Sequence, residues 1–229
     1  MFFDAFLPLT KTVASDYFEK IKLVKLLRKQ KSELYFDKIP FSDFKVFEKV
    51  MALLAKNSQL QMSNSSTIRY AQLIDIDPSI EVYCNRGTSG IDGSTSTAIG
   101  AAVANKKQTV LITGDISFLY DSNALWNNYT PKNFKIILIN NGGGGIFRIL
   151  PGHKETAVFN TFFETSHCLT AEHLARMYGF EYTIASDEAS LVNRMNDLYA
   201  QNEKPCILEV FTPTLQNDSI LLQYFKELV

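Results

Sequence analysis

Two oxygen-bearing side chains stand at positions from which they could act together. Asp115 follows the apolar run TVLIT and Gly114, while Asn141 follows the apolar run KIILI and Asn140 and opens the glycine run 142–145. An aspartate beside the free N–H groups of a helix start would repel the phosphate those groups favour, unless a cation lies between them. Mg²⁺ suits that place because it combines one or two protein carboxylates with phosphate oxygens. Asn141 would add a neutral carbonyl oxygen, and glycine at 143 lets the main chain come close enough to offer a third. Taken singly, each motif has an ordinary reading: Asp115 as a turn or capping residue, and the glycine run as a flexible loop. Their pairing, each directly after a buried strand, gives them weight.

The elements that must position them are legible as alternation. Short strand-like runs fall at 81–84, 109–113, 135–139, 181–184 and 206–211, separated by stretches of helical character. Two of them are nearly continuous apolar segments, as expected for parallel strands covered on both faces. The pattern predicts an α/β fold: a doubly wound, mainly parallel sheet with helices on both faces. The 26 residues separating Asp115 from Asn141 (141 − 115) accommodate one helix and a return strand. A crossover of that kind puts both residues at the same edge of adjacent parallel strands. A helix is expected near Phe118 with Ser117 as its N-cap. Upstream, residues 12–31 read as an amphipathic helix, with Val13, Tyr17, Ile21, Val24 and Leu27 as its apolar positions. Ser42 caps a helix over 43–57, SQLQMSNSST reads as a polar stretch, and Arg69 sits in a helix that ends before Pro78. Residues 1–37 are thus read as a helical connector, and 38–229 as one domain carrying the site.

Composition removes several classes. A net charge of -1 with no lysine or arginine stripe gives no field for nucleic acid. Cys84, Cys168 and Cys206 are scattered and odd in number, which fits reduced thiols in a cytoplasmic protein. His153, His167 and His173 lack the companions of a zinc site and read as surface or loop histidines. The N-terminal residues lack the sustained apolar core of a signal peptide or membrane span.

Gly114-Asp115 followed by Asn140-Asn141 resembles the signature of thiamine diphosphate enzymes. Segments 85–102 (NRGTSGIDGSTSTAIGAA), 114–125 (GDISFLYDSNAL) and 140–152 (NNGGGGIFRILPG) narrow the likeness. Together they resemble the C-terminal domain of the 2-succinyl-5-enolpyruvyl-6-hydroxy-3-cyclohexene-1-carboxylate synthase family of menaquinone biosynthesis. The resemblance is strongest over 63–152, weaker beyond, and slight before residue 40. Two departures stand out: Ile116 replaces the second glycine of the common Gly-Asp-Gly signature, and Gly142 stands where the family usually has Asp or Asn.

This resemblance implies thiamine diphosphate and Mg²⁺ as cofactors. Gly90, Gly114, Asp115, Ile116, Ser117, Asn141 and Gly143 would surround the diphosphate, with Asp115, Asn141 and Gly143 on the metal. Ile91 would be the apolar wedge that bends the cofactor and so serves catalysis. Ser65, Arg69 and Arg86 would receive substrate carboxylates, and Ile146 and Phe147 would form the wall. By residue type alone, Arg69 also fits an exposed helix face, and Ile91, Ile146 and Phe147 also fit a plain core. The implied reaction decarboxylates 2-oxoglutarate and adds the succinyl semialdehyde unit to isochorismate. Its implied partners are two anionic small molecules, an N-terminal pyrimidine-binding domain, and further copies in a homodimer or homotetramer. That N-terminal domain would supply a glutamate absent here, so the chain reads as a fragment that is inactive alone. Two other readings stay open: another thiamine diphosphate carboligase or 2-oxoacid decarboxylase, and a non-catalytic diphosphate-binding module.

Overall fold

The computed structural model describes residues 1–11, 13–150, 152, 154–200 and 203–229. Thr12 of the expected first helix, Pro151 of the 140–152 segment and His153 lie outside them. The chain divides into two compact units, Met1–Lys38 with Tyr224–Val229, and Ile39–Gln223.

The larger unit is built on six strands: β1 (Gln59–Met62), β2 (Glu81–Cys84), β3 (Thr109–Gly114), β4 (Phe134–Asn140), β5 (Glu181–Ala185) and β6 (Cys206–Phe211). They form one sheet in the order β2-β1-β3-β4-β6-β5, and every neighbouring pair is parallel. Val110, Leu111 and Ile112 on β3 and Ile136, Ile137 and Leu138 on β4 are all buried, which is why these runs carry no polar alternation. Helices Ser94–Ala104 and Glu172–Met177 contribute Ala98, Ile99, Ala102 and Ala175 to the same core as Leu111, Phe134 and Ile136. The chain passes from β1 to β2 on one side and then to β3 on the other. Strand order therefore reverses between β1 and β3, where open α/β sheets leave a crevice at their carboxyl ends.

Several local expectations need correction. The polar stretch holds strand β1, buried at all four positions. Its glutamines gave no apolar signal, but as a central strand it pairs on both sides, and Asn105 Nδ2 donates to Gln59 Oε1 at 2.9 Å. The helix after β3 is Asp115–Tyr120 with Gly114 at the N-cap, so Asp115 opens the helix and Ser117 lies inside it. Ser42 does cap the upstream helix by accepting from Lys45 N–H, but that helix is Asp43–Leu53 and stops short of residue 57. Leu54 is extended there, with φ -62 and ψ 137.

In the smaller unit the long helix is Tyr17–Lys38, later in start and end than expected. Only Tyr35 and Phe36 are buried on it, both against the Tyr224 ring. Leu23, Val24, Leu26 and Leu27 are exposed and succeed one another around the helix, so the expected single apolar face is absent. Among the described residues, no helix is long and apolar enough to cross a membrane.

Candidate functional site

The ends of β1, β3 and β4 release three loops around a cavity of about 250 Å³. All the expected site residues line it except Gly90, Arg69 and Arg86. Arg69 donates to the Ser65 carbonyl at 3.0 Å and Arg86 to Asn64 Oδ1 at 2.8 Å. Both arginines are thus tied to residues of the cavity wall. Arg86 itself is exposed and Arg69 half-buried.

Asp115 and Asn141 are brought together as their spacing predicted, because β3 and β4 are adjacent and parallel with Gly114 opposite Ile139. Asp115 is only 5% exposed. Its Oδ2 accepts the N–H groups of Gly142 and Gly143 at 2.9 and 3.0 Å, and its Oδ1 accepts Ile116 N–H at 2.7 Å. Burial nevertheless pushes its carboxyl above the usual range, outweighing those three donors and the nearby His167. Asn141 donates through Nδ2 to Asp43 Oδ2 at 2.8 Å, while its own Oδ1 is buried with no partner. An unpaired buried carbonyl calls for a ligand.

Asp43, which opens the helix Asp43–Leu53, lines the same cavity and is 3% exposed. Burial pushes its carboxyl up to about 6, with the negative charge of Asp115 adding to the rise and hydrogen bonds from Thr212 and Asn141 opposing it. Two buried carboxyls and a free carbonyl oxygen therefore face a space that, among the described residues, no lysine or arginine lines. That donor set suits a hard, oxygen-seeking divalent cation.

Glycine is required at 143. Its φ is +154, and a Cβ there would lie 2.7 Å from the Glu164 carbonyl oxygen. Glu164 belongs to a strap behind the loop: its carbonyl accepts Gly144 N–H at 2.5 Å, and His167 N–H donates to the Gly142 carbonyl at 3.0 Å. Arg148 holds the Glu164 carboxylate through two nitrogens, one at 2.6 Å. On the opposite wall, Ser117 Oγ donates to the Ile91 carbonyl, which fixes the loop that carries Ile91.

Asp43, Asn64, Glu164 and His167 were missed by sequence reasoning. His167 is not a free surface histidine: its Nε2 stands 3.3 Å from Asp115 Oδ2, and its Nδ1 accepts Leu169 N–H at 3.1 Å. That contact assigns the ring proton to Nε2, facing Asp115. Nothing at position 167 marks this role in the sequence. Asn64 adjoins the predicted Ser65 and could have been found from the same motif.

Residues 64–210 match the family described as thiamine pyrophosphate enzyme, C-terminal TPP binding domain. The chain belongs to this family. A thiamine pyrophosphate-binding domain accounts for a cavity at the carboxyl edge of a parallel sheet, with an aspartate and an asparagine on neighbouring strand ends. Its similarity extends further to proteins named 2-succinyl-5-enolpyruvyl-6-hydroxy-3-cyclohexene-1-carboxylate synthase. The one from Flavobacterium johnsoniae is 71% identical over 227 residues, covering 99% of this chain and 41% of that protein. That of Flavobacterium psychrophilum is 62% identical over 228 residues (100% and 41%), and that of Bacteroides fragilis 42% over 199 residues (86% and 36%). This thiamine pyrophosphate domain spans about two fifths of the length of the curated relatives it matches.

Proposed function

We propose that this chain is the diphosphate-anchoring part of a thiamine diphosphate-dependent synthase. That enzyme decarboxylates 2-oxoglutarate and adds the succinyl semialdehyde unit to isochorismate. The observation that carries the anchoring role is the pair of Asp115, buried at a cavity that no lysine or arginine lines among the described residues, and Asn141, whose Oδ1 is buried and unpartnered. Asp115, Asn141 and the Gly143 carbonyl would hold Mg²⁺, with Gly90, Gly114, Ile116 and Ser117 around the diphosphate. When bound, thiamine diphosphate supplies the electron sink that decarboxylation requires.

The chain's own side chains bind, orient and exclude water. Ile91, Ile146 and Phe147, all half-buried, give the cavity an apolar wall. Arg69 and Arg86, with Ser65, would receive the carboxylates of two anionic substrates, a task for which a planar guanidinium is suited. The names of the relatives, which state the product of a synthase, support this reading. In the same reading residues 38–229 act as the cofactor domain and 1–37 as a connector. The pyrimidine half of the cofactor would be held by an N-terminal domain within a cytoplasmic homodimer or homotetramer.

Steady-state kinetics on the full-length protein that carries this chain test the proposal, beside calorimetric cofactor titration. Arg69→Ala and Arg86→Ala should lower kcat/KM by roughly 30- to 1000-fold, about 2–4 kcal/mol, with thiamine diphosphate affinity little changed. Arg86 should show the larger effect. Asp115→Ala should abolish Mg²⁺-dependent cofactor binding. Near-parental kcat/KM in both arginine variants, or a preference for pyruvate as donor, would defeat the substrate assignment while leaving the family intact.

A further inference from the structure

An asparagine amide is nearly symmetric in shape, so its oxygen and nitrogen exchange places on a half-turn of the terminal torsion. Only the oxygen can ligate a hard cation. Something must therefore hold Asn141 the right way round, and residue 141 cannot do so itself. We propose that Asp43 is the positioning residue that fixes the Asn141 amide with its oxygen toward the cation site. The inference rests on the cation-site reading above and concerns a residue outside the 64–210 family match.

A carboxylate accepts hydrogen bonds and does not donate them. With Asp43 Oδ2 at 2.8 Å, Asn141 must turn its NH₂ group to Asp43, which leaves Oδ1 on the other side, buried and unpartnered. A half-turn would set carbonyl oxygen against carboxylate oxygen and leave the amide protons facing the cation. Asp43 is in turn held from two directions. Thr212 Oγ1 donates to its Oδ1 at 2.5 Å, and its backbone N–H donates to Asn217 Oδ1 at 2.8 Å. Asn217 is itself tied to the Pro213 carbonyl at 2.7 Å. Asn141 has a second anchor, its carbonyl accepting Thr214 Oγ1 at 2.7 Å, so the terminal torsion is the freedom that Asp43 removes. Behind Asp43, Phe44 and Phe47 pack on Tyr70 with ring centroids 5.4 and 5.3 Å apart, which fixes the helix start against the helix Ser66–Ala71. Partners that orient a metal ligand in this way commonly change metal affinity 10- to 100-fold when removed.

The test is a Mg²⁺ titration of the full-length protein at saturating thiamine diphosphate, read by calorimetry, with thermal unfolding measured on the same samples. Asp43→Ala should raise the Mg²⁺ half-saturation at least about tenfold. Asp43→Asn should restore it to near the parental value, since its carbonyl can face Asn141 while its NH₂ group faces the Thr212 hydroxyl. Ser42→Ala removes the adjacent cap and lowers the unfolding temperature, but should leave the half-saturation in place. If Asp43→Ala does not fold, Thr212→Val carries the test, with an expected rise of about threefold. An unshifted half-saturation in Asp43→Ala or Thr212→Val overturns the proposal, as does an equal shift in Ser42→Ala. A parental protein that ignores Mg²⁺ instead overturns the cation-site reading and this inference with it.

Discussion

At the scale of single residues, the site depends on backbone that only glycine tolerates at one point and that other residues tolerate next to it. Gly142 has φ +79, and a Cβ there would meet the His167 carbonyl at 3.3 Å. Left-handed conformations of that kind also admit Asn and Asp. Gly143, at φ +154 and with the Glu164 carbonyl oxygen only 2.7 Å from where a Cβ would stand, has no such latitude. Gly143→Ala should therefore cost about 1–3 kcal/mol and lower the unfolding temperature by roughly 2–4 °C per kcal/mol. Gly142→Asn should be markedly milder. Thermal unfolding of the two variants decides it, and equal losses would show that the crowding at 143 is relieved by movement of the strap.

At the scale of elements, the glycine loop takes its shape from the strap behind it. Arg148 is buried and paired with Glu164, whose side chain is 1% exposed, and Glu155 adds a second partner. These carboxylates hold the guanidinium well above its usual range. Replacing Arg148 by Met would strand a buried carboxylate, a change that costs about 3–5 kcal/mol. Because the Glu164 carbonyl accepts Gly144 N–H, amide exchange at Gly144 and His167 should accelerate in Arg148→Met far more than exchange in β4. Uniform acceleration across β4 as well would mean that the strap and sheet open as one unit.

At the scale of the whole molecule, the described residues include large apolar side chains that are exposed. All four residues of edge strand β2 are exposed, with Val82 at 42% and Tyr83 at 50%. An open edge with apolar side chains invites pairing with another chain. On the helix Tyr17–Lys38, Phe18 and Leu23 are 71% and 66% exposed. The relatives are more than twice as long, so they have further chain with which to cover such surfaces. The 229-residue chain by itself should self-associate in sedimentation at tens of micromolar, with amide exchange at Val82 and Tyr83 much faster than at Ile136 and Ile137. A strict monomer with slow exchange in β2 would show that the edge protects itself.

What the sequence by itself determined is the frame: the nearly continuous apolar runs of β3 and β4 read as covered parallel strands, and a crossover of 26 residues between Asp115 and Asn141 brought both to one sheet edge. Burial on both faces and chain connectivity are local facts that composition and spacing record. Strand β1 escaped because two of its four buried residues are glutamines, one of them paired with the distant Asn105, leaving no hydrophobic period to read. Arg69, Arg86 and Gly90 stand outside the cavity lining, since motif order does not say which way a side chain or a loop turns. Only the tertiary structure decided that Asp43, 98 residues upstream, meets Asn141, and that His167 turns its ring to Asp115. The orientation of one amide depends on a hydrogen bond between residues far apart in the chain, and long-range contacts of that kind leave no trace in the spacing of either partner.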